Sequence, residues 1–201
     1  MAESRQATDS IDADQLRSGT WRMLGNLLAG PPEEEVLDLL VRIGDSADSR
    51  DGVARAWSML KVAADRAERR QLAEEYQDVF IGVGGGEITP YASWYISGSL
   101  LERPLIELRN DLKALGIERQ EGIGDPEDHA AAVCEVMALT IVDPDVSIEW
   151  QREFFKRHVE PWMGRFFEEL QEAPSASFYR AVGCLGEEFT RMEQRYFSML
   201  A

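Results

Sequence analysis

The last twenty-odd residues of the chain set the terms for everything before them. Phe178, Val182, Leu185, Phe189, Met192, Tyr196 and Met199 step by four and three without a break. That spacing gives a long helix with one apolar face. A long helix of this kind must bury its face against other helices or against a sheet. Gly183 and Gly186 lie inside it. Each costs about 1 kcal/mol relative to Ala in a helix interior, so the sequence predicts a close approach by a neighbouring helix there.

The partners in sequence are also helices. Leu16, Thr20, Leu24, Leu27 and Leu28 mark a first helix, which Gly30 and Pro31-Pro32 end. Pro32 can open a second helix, with Glu33 to Glu35 at its positive end. Further helices are expected over about Val53–Ala64, about Ala67–Phe80, and around Leu105, Leu108, Leu112 and Leu115. Another opens at Asp125, and "SIEWQREFFKRHVEPWMGRFFEEL" gives one bent helix or two, divided at Pro161. No alternating β pattern of useful length and no repeat of fixed period is present. The fold class expected is all-α, about eight to ten helices in one domain over residues 1–201, with 1–11 a flexible tail.

Charge and composition then exclude several classes of function. Lys and Arg number 21 against 37 Asp and Glu, a net charge of −16. A field of that sign repels phosphate backbones and anionic headgroups and attracts cationic partners. No apolar run approaches the roughly 18 residues of a membrane span, and "MAESRQATDSIDAD" lacks the apolar core of a secretory signal. Cys134 and Cys184 are isolated, without a CxxC pair, and lie in apolar helical patterns. They read as buried free thiols in a reducing, cytoplasmic setting.

Three stretches stand outside the core pattern. "DPEDH", Asp125 to His129, begins as helix-start chemistry. Asp125 can cap, Pro126 suits the first turn, and Asp128 can bond back as in a capping box. His129 is left over. It falls at the edge of the apolar face Ala130, Val133, Cys134, Met137 and Ile141, with Asp128 further out. Adjacent helical residues point about 100° apart, so the two do not form a direct dyad. They are expected as a polar rim above an apolar surface. Two widely separated histidines and core-like cysteines make a poor metal site. "GVGGGE" lacks the Lys-Ser or Lys-Thr of a phosphate loop and reads as a flexible hinge. "TPYASWY" crowds Pro90, Tyr91, Trp94 and Tyr95 beside it, rings that line a peptide surface or pack under the loop. His158, between Phe155 and Trp162 in register, is expected to be structural, bonding a carbonyl or carboxylate.

In combination these stretches resemble the TorD/DmsD/NarJ family of redox-enzyme maturation chaperones. Tyr76-Gln77-Asp78-Val79-Phe80 is similar to the family's aromatic-x-x-Leu-Phe element, with Val79 in place of Leu. Pro90 to Tyr95 resembles its Pro-containing, Ser-aromatic segment. Asp125 to His129 resembles its Glu-Pro-x-Asp-His signature, with Asp125 in the Glu position. "FFKRHVEPWMGRFFEEL" resembles a further Phe, His and Pro-Trp pattern. The resemblance runs from about Leu72 to Phe189 and implies an all-helical, non-enzymatic protein without a cofactor of its own. It implies binding of the twin-arginine leader, or of an equivalent N-terminal segment, of a molybdopterin-containing oxidoreductase catalytic subunit, held until cofactor insertion is complete so that premature export is prevented.

Carried over by position, Glu127, Asp128 and His129 would belong to the peptide-binding region. Tyr76, Phe80, Tyr91, Ser93, Trp94 and Tyr95 would be walls or supports. Carboxylates suit guanidinium forks and an aromatic groove suits an apolar stretch. Asp128 is then expected as the cation partner, with His129 as a donor beside it. Two other readings stand next to this one: a small helical hydrolase using Asp128 and His129, or a generic acidic adaptor. The oligomer is expected to be a monomer or a domain-swapped homodimer, with the glycine loop as hinge.

Overall fold

A computed structural model of the chain describes residues 2–43, 51–118 and 124–200, and within the first helix the side chains described begin at Ala13. Among these residues there are ten α-helices and no strand beyond one isolated antiparallel bridge, Tyr91 to His129. In order they are α1 (Ala2–Ala29), α2 (Glu34–Arg42), α3 (Gly52–Asp65), α4 (Arg69–Tyr76), α5 (Ala92–Ser97), α6 (Arg103–Ala114), α7 (Ala130–Val142), α8 (Ile148–His158), α9 (Met163–Glu172) and α10 (Phe178–Met199). The tail expected over 1–11 falls on side chains outside the described set.

The all-helical reading holds, and its details shift in places. Pro161 separates α8 from α9 outright, and the Trp162 indole N–H covers the freed His158 carbonyl at 2.7 Å. Pro32 lies just outside α2, which starts at Glu34 with Glu33 as its cap. The helix expected over Ala67–Phe80 changes character midway. α4 passes into a π-helical turn over Gln77–Ile81, which Gly82 closes at φ +51 with its N–H on the Gln77 carbonyl at 2.7 Å.

That turn overrides the hinge expectation for "GVGGGE". Glu87 N–H bonds the Asp78 carbonyl and Ile88 N–H bonds the Val79 carbonyl, folding the loop back on the π turn. A Cβ on Gly86 would stand 2.4 Å from the Phe80 carbonyl carbon. Gly82 and Gly86 are there because the backbone closes on itself, and Gly84 and Gly85 because their φ values of +98 and +122 disfavour a side chain, so the loop is a tied turn.

Three helix pairings organise the core. α10 packs on α9 and α3, and α1 packs on α7. A Cβ on Gly186 would lie 2.2 Å from the Phe167 ring of α9, and one on Gly183 would lie 2.9 Å from the Phe167 carbonyl oxygen. The close approach expected at those glycines is there. Gly25 does the same for α1, where a Cβ would meet the Ala131 carbonyl oxygen at 3.1 Å. Ser18 Oγ bonds the Ala138 carbonyl at 2.7 Å, and with Gly25 against Ala131 this reversed order makes α1 and α7 antiparallel. α7 is buried nearly all round, nine of its thirteen residues, which makes it the central helix. Cys134 sits inside it, with burial pushing its thiol up, whereas Cys184 is only half-buried and faces the Met59 sulfur at 3.9 Å. The buried-thiol expectation therefore holds for Cys134 alone, because Cys184 falls on the flank of α10.

One buried ion pair ties α1 to α10. Arg17 makes two bonds to Glu193, at 2.7 and 2.9 Å, and Trp21 donates to the same carboxylate at 3.1 Å. The Arg17 guanidinium also stacks 4.1 Å over the Tyr196 ring.

Candidate functional site

Four backbone and side-chain bonds pin the start of α5 to the start of α7. Ala92 N–H donates to the Asp128 carbonyl at 3.0 Å, and Ala130 N–H to the Pro90 carbonyl at 2.8 Å. Asp128 Oδ2 accepts from Ser93 N–H at 2.9 Å and from the Ser93 hydroxyl. The carboxylate thus occupies the positive end of α5. Asp128 is 1% exposed, and its Oδ1 is buried without a hydrogen-bond partner among the described residues. The expected rim position is wrong for Asp128. The short bridge between residues 91 and 129 turns it inward, and its partner is a serine within the fold.

The bridge also moves the helix start. His129 is held extended at φ −64 and ψ 140, so α7 begins only at Ala130. His129 is its cap: Nδ1 accepts from Ala131 N–H at 3.1 Å. Asp125, Pro126 and Asp128 do not form the expected capping box. They make a turn, closed by His129 N–H on the Pro126 carbonyl at 3.1 Å. An Nδ1 that accepts a backbone N–H belongs to the Nε2-protonated neutral ring. Burial favours that neutral state, against the opposing pull of the Asp125 and Asp128 charges. Asp128 and His129 are each bonded elsewhere, so no acid-base dyad exists between them, which removes the geometric basis of the hydrolase reading.

Asp125 takes the exposed position. Its Oδ1 accepts from the Tyr91 hydroxyl at 2.7 Å, and the Tyr91 ring stands edge-on to His129 with centroids 5.0 Å apart. Burial first, and then the Asp125 bond, raise the Tyr91 phenol well above its ordinary value, so it remains a donor. Asp125, Pro126 and His129 form one end of a groove of about 510 Å³ between α1 and α7. Arg22 and Asn26 of α1 and Glu135 and Leu139 of α7 continue its walls. The contribution of α1 had no local sequence signal apart from Gly25.

The other residues expected here divide into supports and surface. Tyr76 is half-buried, bonds the Leu28 carbonyl at 3.3 Å and packs on Phe80 and Tyr179. Phe80 is buried and meets Tyr179 edge-on, inside the core. Ser93 is buried and Tyr95 bonds Glu169 at 2.8 Å over Trp162. Glu127 pairs with Arg109 at 2.7 Å. Trp94 alone of the aromatic set is strongly exposed, at 46%. His158 is separate from this site. Its Nε2 lies 2.6 Å from the Asp111 carboxylate, which also takes Arg157 at 2.6 Å. Among the described residues, no group of three or more His, Cys, Asp or Glu is placed to hold a metal ion.

The sequence profile of the nitrate reductase delta subunit family matches residues 46–168, which contain α3 to α8 and the motifs at 76–80, 90–95 and 125–129. The chain belongs to this family. Among its relatives, the chaperone protein TorD of Vibrio cholerae serotype O1 (strain M66-2) is 23% identical, over 80% of this chain and 78% of that one. TorD of Shewanella pealeana is also 23% identical, over 97% and 96%. A crystal structure from Archaeoglobus fulgidus, described as a candidate redox enzyme maturation protein, shares the fold with a TM-score of 0.57 at 15% identity, covering 89% of this chain and 94% of that one. Like other members of the nitrate reductase delta subunit family, this chain is a maturation chaperone and no enzyme. No helix among the described residues is long and apolar enough to cross a membrane.

Proposed function

We propose that this chaperone works in the cytoplasm and binds the N-terminal twin-arginine leader of a molybdenum-cofactor oxidoreductase subunit. By holding the leader it delays export until the cofactor is in place. The observation that carries the reading is the corner made by Asp125, Tyr91 and His129 at the mouth of the α1–α7 groove. Tyr91 fixes one oxygen of Asp125 and leaves the exposed carboxylate oriented for a guanidinium fork. His129 adds a neutral donor, and the Trp94 ring stands exposed on the neighbouring α5. The net charge of −16 supports a cationic ligand, with encounter rates that fall as salt rises.

Asp128 keeps a place in this site, in a different role from the one its motif position suggests. It holds the start of α5, and through α5 the Trp94 ring, against α7. Tyr76, Phe80, Ser93 and Tyr95 support the same corner from within. A generic acidic adaptor would need none of this arrangement.

The test is retention of an oxidoreductase subunit by the tagged chaperone on co-expression. The subunit with its leader should be retained, and the subunit without its leader should be retained poorly. Asp125→Asn with Trp94→Ala should reduce retention to the leaderless level. Equal retention with and without the leader would refute the reading.

A further inference from the structure

The groove between α1 and α7 does not end at the charged corner. The antiparallel pairing fixed by Ser18 on Ala138 and by Gly25 on Ala131 sets the order of residues along it. Asp125 and His129 lie at one end. Arg22 and Glu135 lie further along, one on each wall, so their charges offset each other. Beyond them the surface becomes apolar. Leu139 is 44% exposed and Val142 46% exposed on α7. Glu135, Leu139 and Val142 are four and three residues apart, so they share one side of α7. One face therefore runs from a carboxylate with a neutral donor, through a charge-balanced middle, to an exposed apolar strip. The floor is low because Gly25 lets the two helices close on each other there.

Resting on the leader-binding reading, we infer that the apolar stretch following the arginine pair lies in the α1–α7 groove, with its arginines at Asp125 and its apolar side chains on Leu139 and Val142. Charge order is what selects this occupant. A leader carries its cations first and its apolar residues after them, the same order as this face. His129 supplies an independent reason. The side chain is 7% exposed, its Nδ1 is taken by Ala131, and Nε2–H meets no partner among the described residues while the ring lines the groove. It is set to donate to a main-chain carbonyl of an occupant. The exposed residues Ile96 of α5, Ile106 of α6 and Leu101 in the turn between them offer apolar area too, but the recess beside Ile96 holds only about 120 Å³.

The experiment uses the full chain and two synthetic peptides. One carries Arg-Arg followed by an apolar stretch of about ten Leu and Ala residues, the length of a leader core. The other replaces that stretch by Ser and Gly. Leu139→Gln and Val142→Gln keep the net charge, and both positions are exposed, so folding is preserved and thermal melts verify it. Together they should weaken the apolar peptide by about tenfold or more, the equivalent of losing two partly buried aliphatic contacts. The Ser-Gly peptide should bind both proteins alike. Unchanged binding of the apolar peptide by the double variant overturns the groove assignment while leaving leader binding standing. So does a loss produced by Ile96→Gln with Leu101→Gln instead. Failure of the wild-type chain to bind either peptide overturns the leader reading itself, and this inference with it.

Discussion

Asp125 and Asp128 are three residues apart, and their surroundings give them different tasks. Asp128 is buried and accepts two bonds from Ser93. Asp128→Ala strips a backbone N–H and a hydroxyl of a charged partner, which costs about 2–3 kcal/mol. Asp128→Asn keeps one acceptor and removes a charge whose Oδ1 has no partner among the described residues, so it should cost about 1 kcal/mol or less. Urea denaturation of the two variants separates these outcomes. The histidines act at the same scale. Burial holds His129 below its ordinary value, and burial does the same to His158 despite Asp111. Between those folded values and the unfolded one of about 6.5, the unfolded chain binds more protons. The histidine contribution to stability is therefore complete above about pH 6.5 and is lost as pH falls through the folded values. Denaturation measured from about pH 8 down to about pH 5 should show that decline. His129→Asn keeps a capping acceptor without a titrating ring, and should flatten part of it.

At the scale of elements, α10 depends on contacts from distant helices. Glu75 of α4 accepts from the N–H groups of Ser177, Phe178 and Tyr179, at 2.8, 3.2 and 2.8 Å, and so caps α10 from across the fold. Glu75→Ala should lower stability by about 1–2 kcal/mol, as loss of a charged N-cap does. Gly186→Ala places a methyl against the fully buried Phe167 ring, which has no free space to move into. It should cost about 1–3 kcal/mol, read as a lower melting midpoint. The glycines of α10 were legible in the sequence because a helix interior gives glycine no local reason to be there. Helix positions followed from periodicity for the same kind of reason. The start of α7 was not legible, since it is set by the pairing of residues 91 and 129, which are far apart in the chain. The Glu75 cap was hidden in the same way. A capping box reads locally, while a carboxylate from another helix leaves no pattern. The π turn after Tyr76 was read as plain helix because its side-chain spacing differs little over five residues.

For the whole molecule, the motif residues were legible as a group and their roles were not. The resemblance put Tyr91, Asp128 and His129 in one peptide-binding region and left Asp125 as a helix cap, and the fold brings all four side by side. It reverses the two acids, burying the one expected at the rim and exposing the one expected as a cap. The α1 wall came only with tertiary packing. The surrounding charge of −16 acts on all of it, and association of a cationic leader should slow as ionic strength rises, with dissociation changing less. The most direct test of leader recognition is a calorimetric titration of the wild-type chain with a twin-arginine leader peptide and with the same peptide carrying Gln-Gln. The account predicts saturable binding of the first, weakened by salt and by Asp125→Asn, and at least about tenfold weaker binding of the second, as loss of a charge-assisted guanidinium pair requires. Equal binding of the two peptides, or none of either, would contradict it.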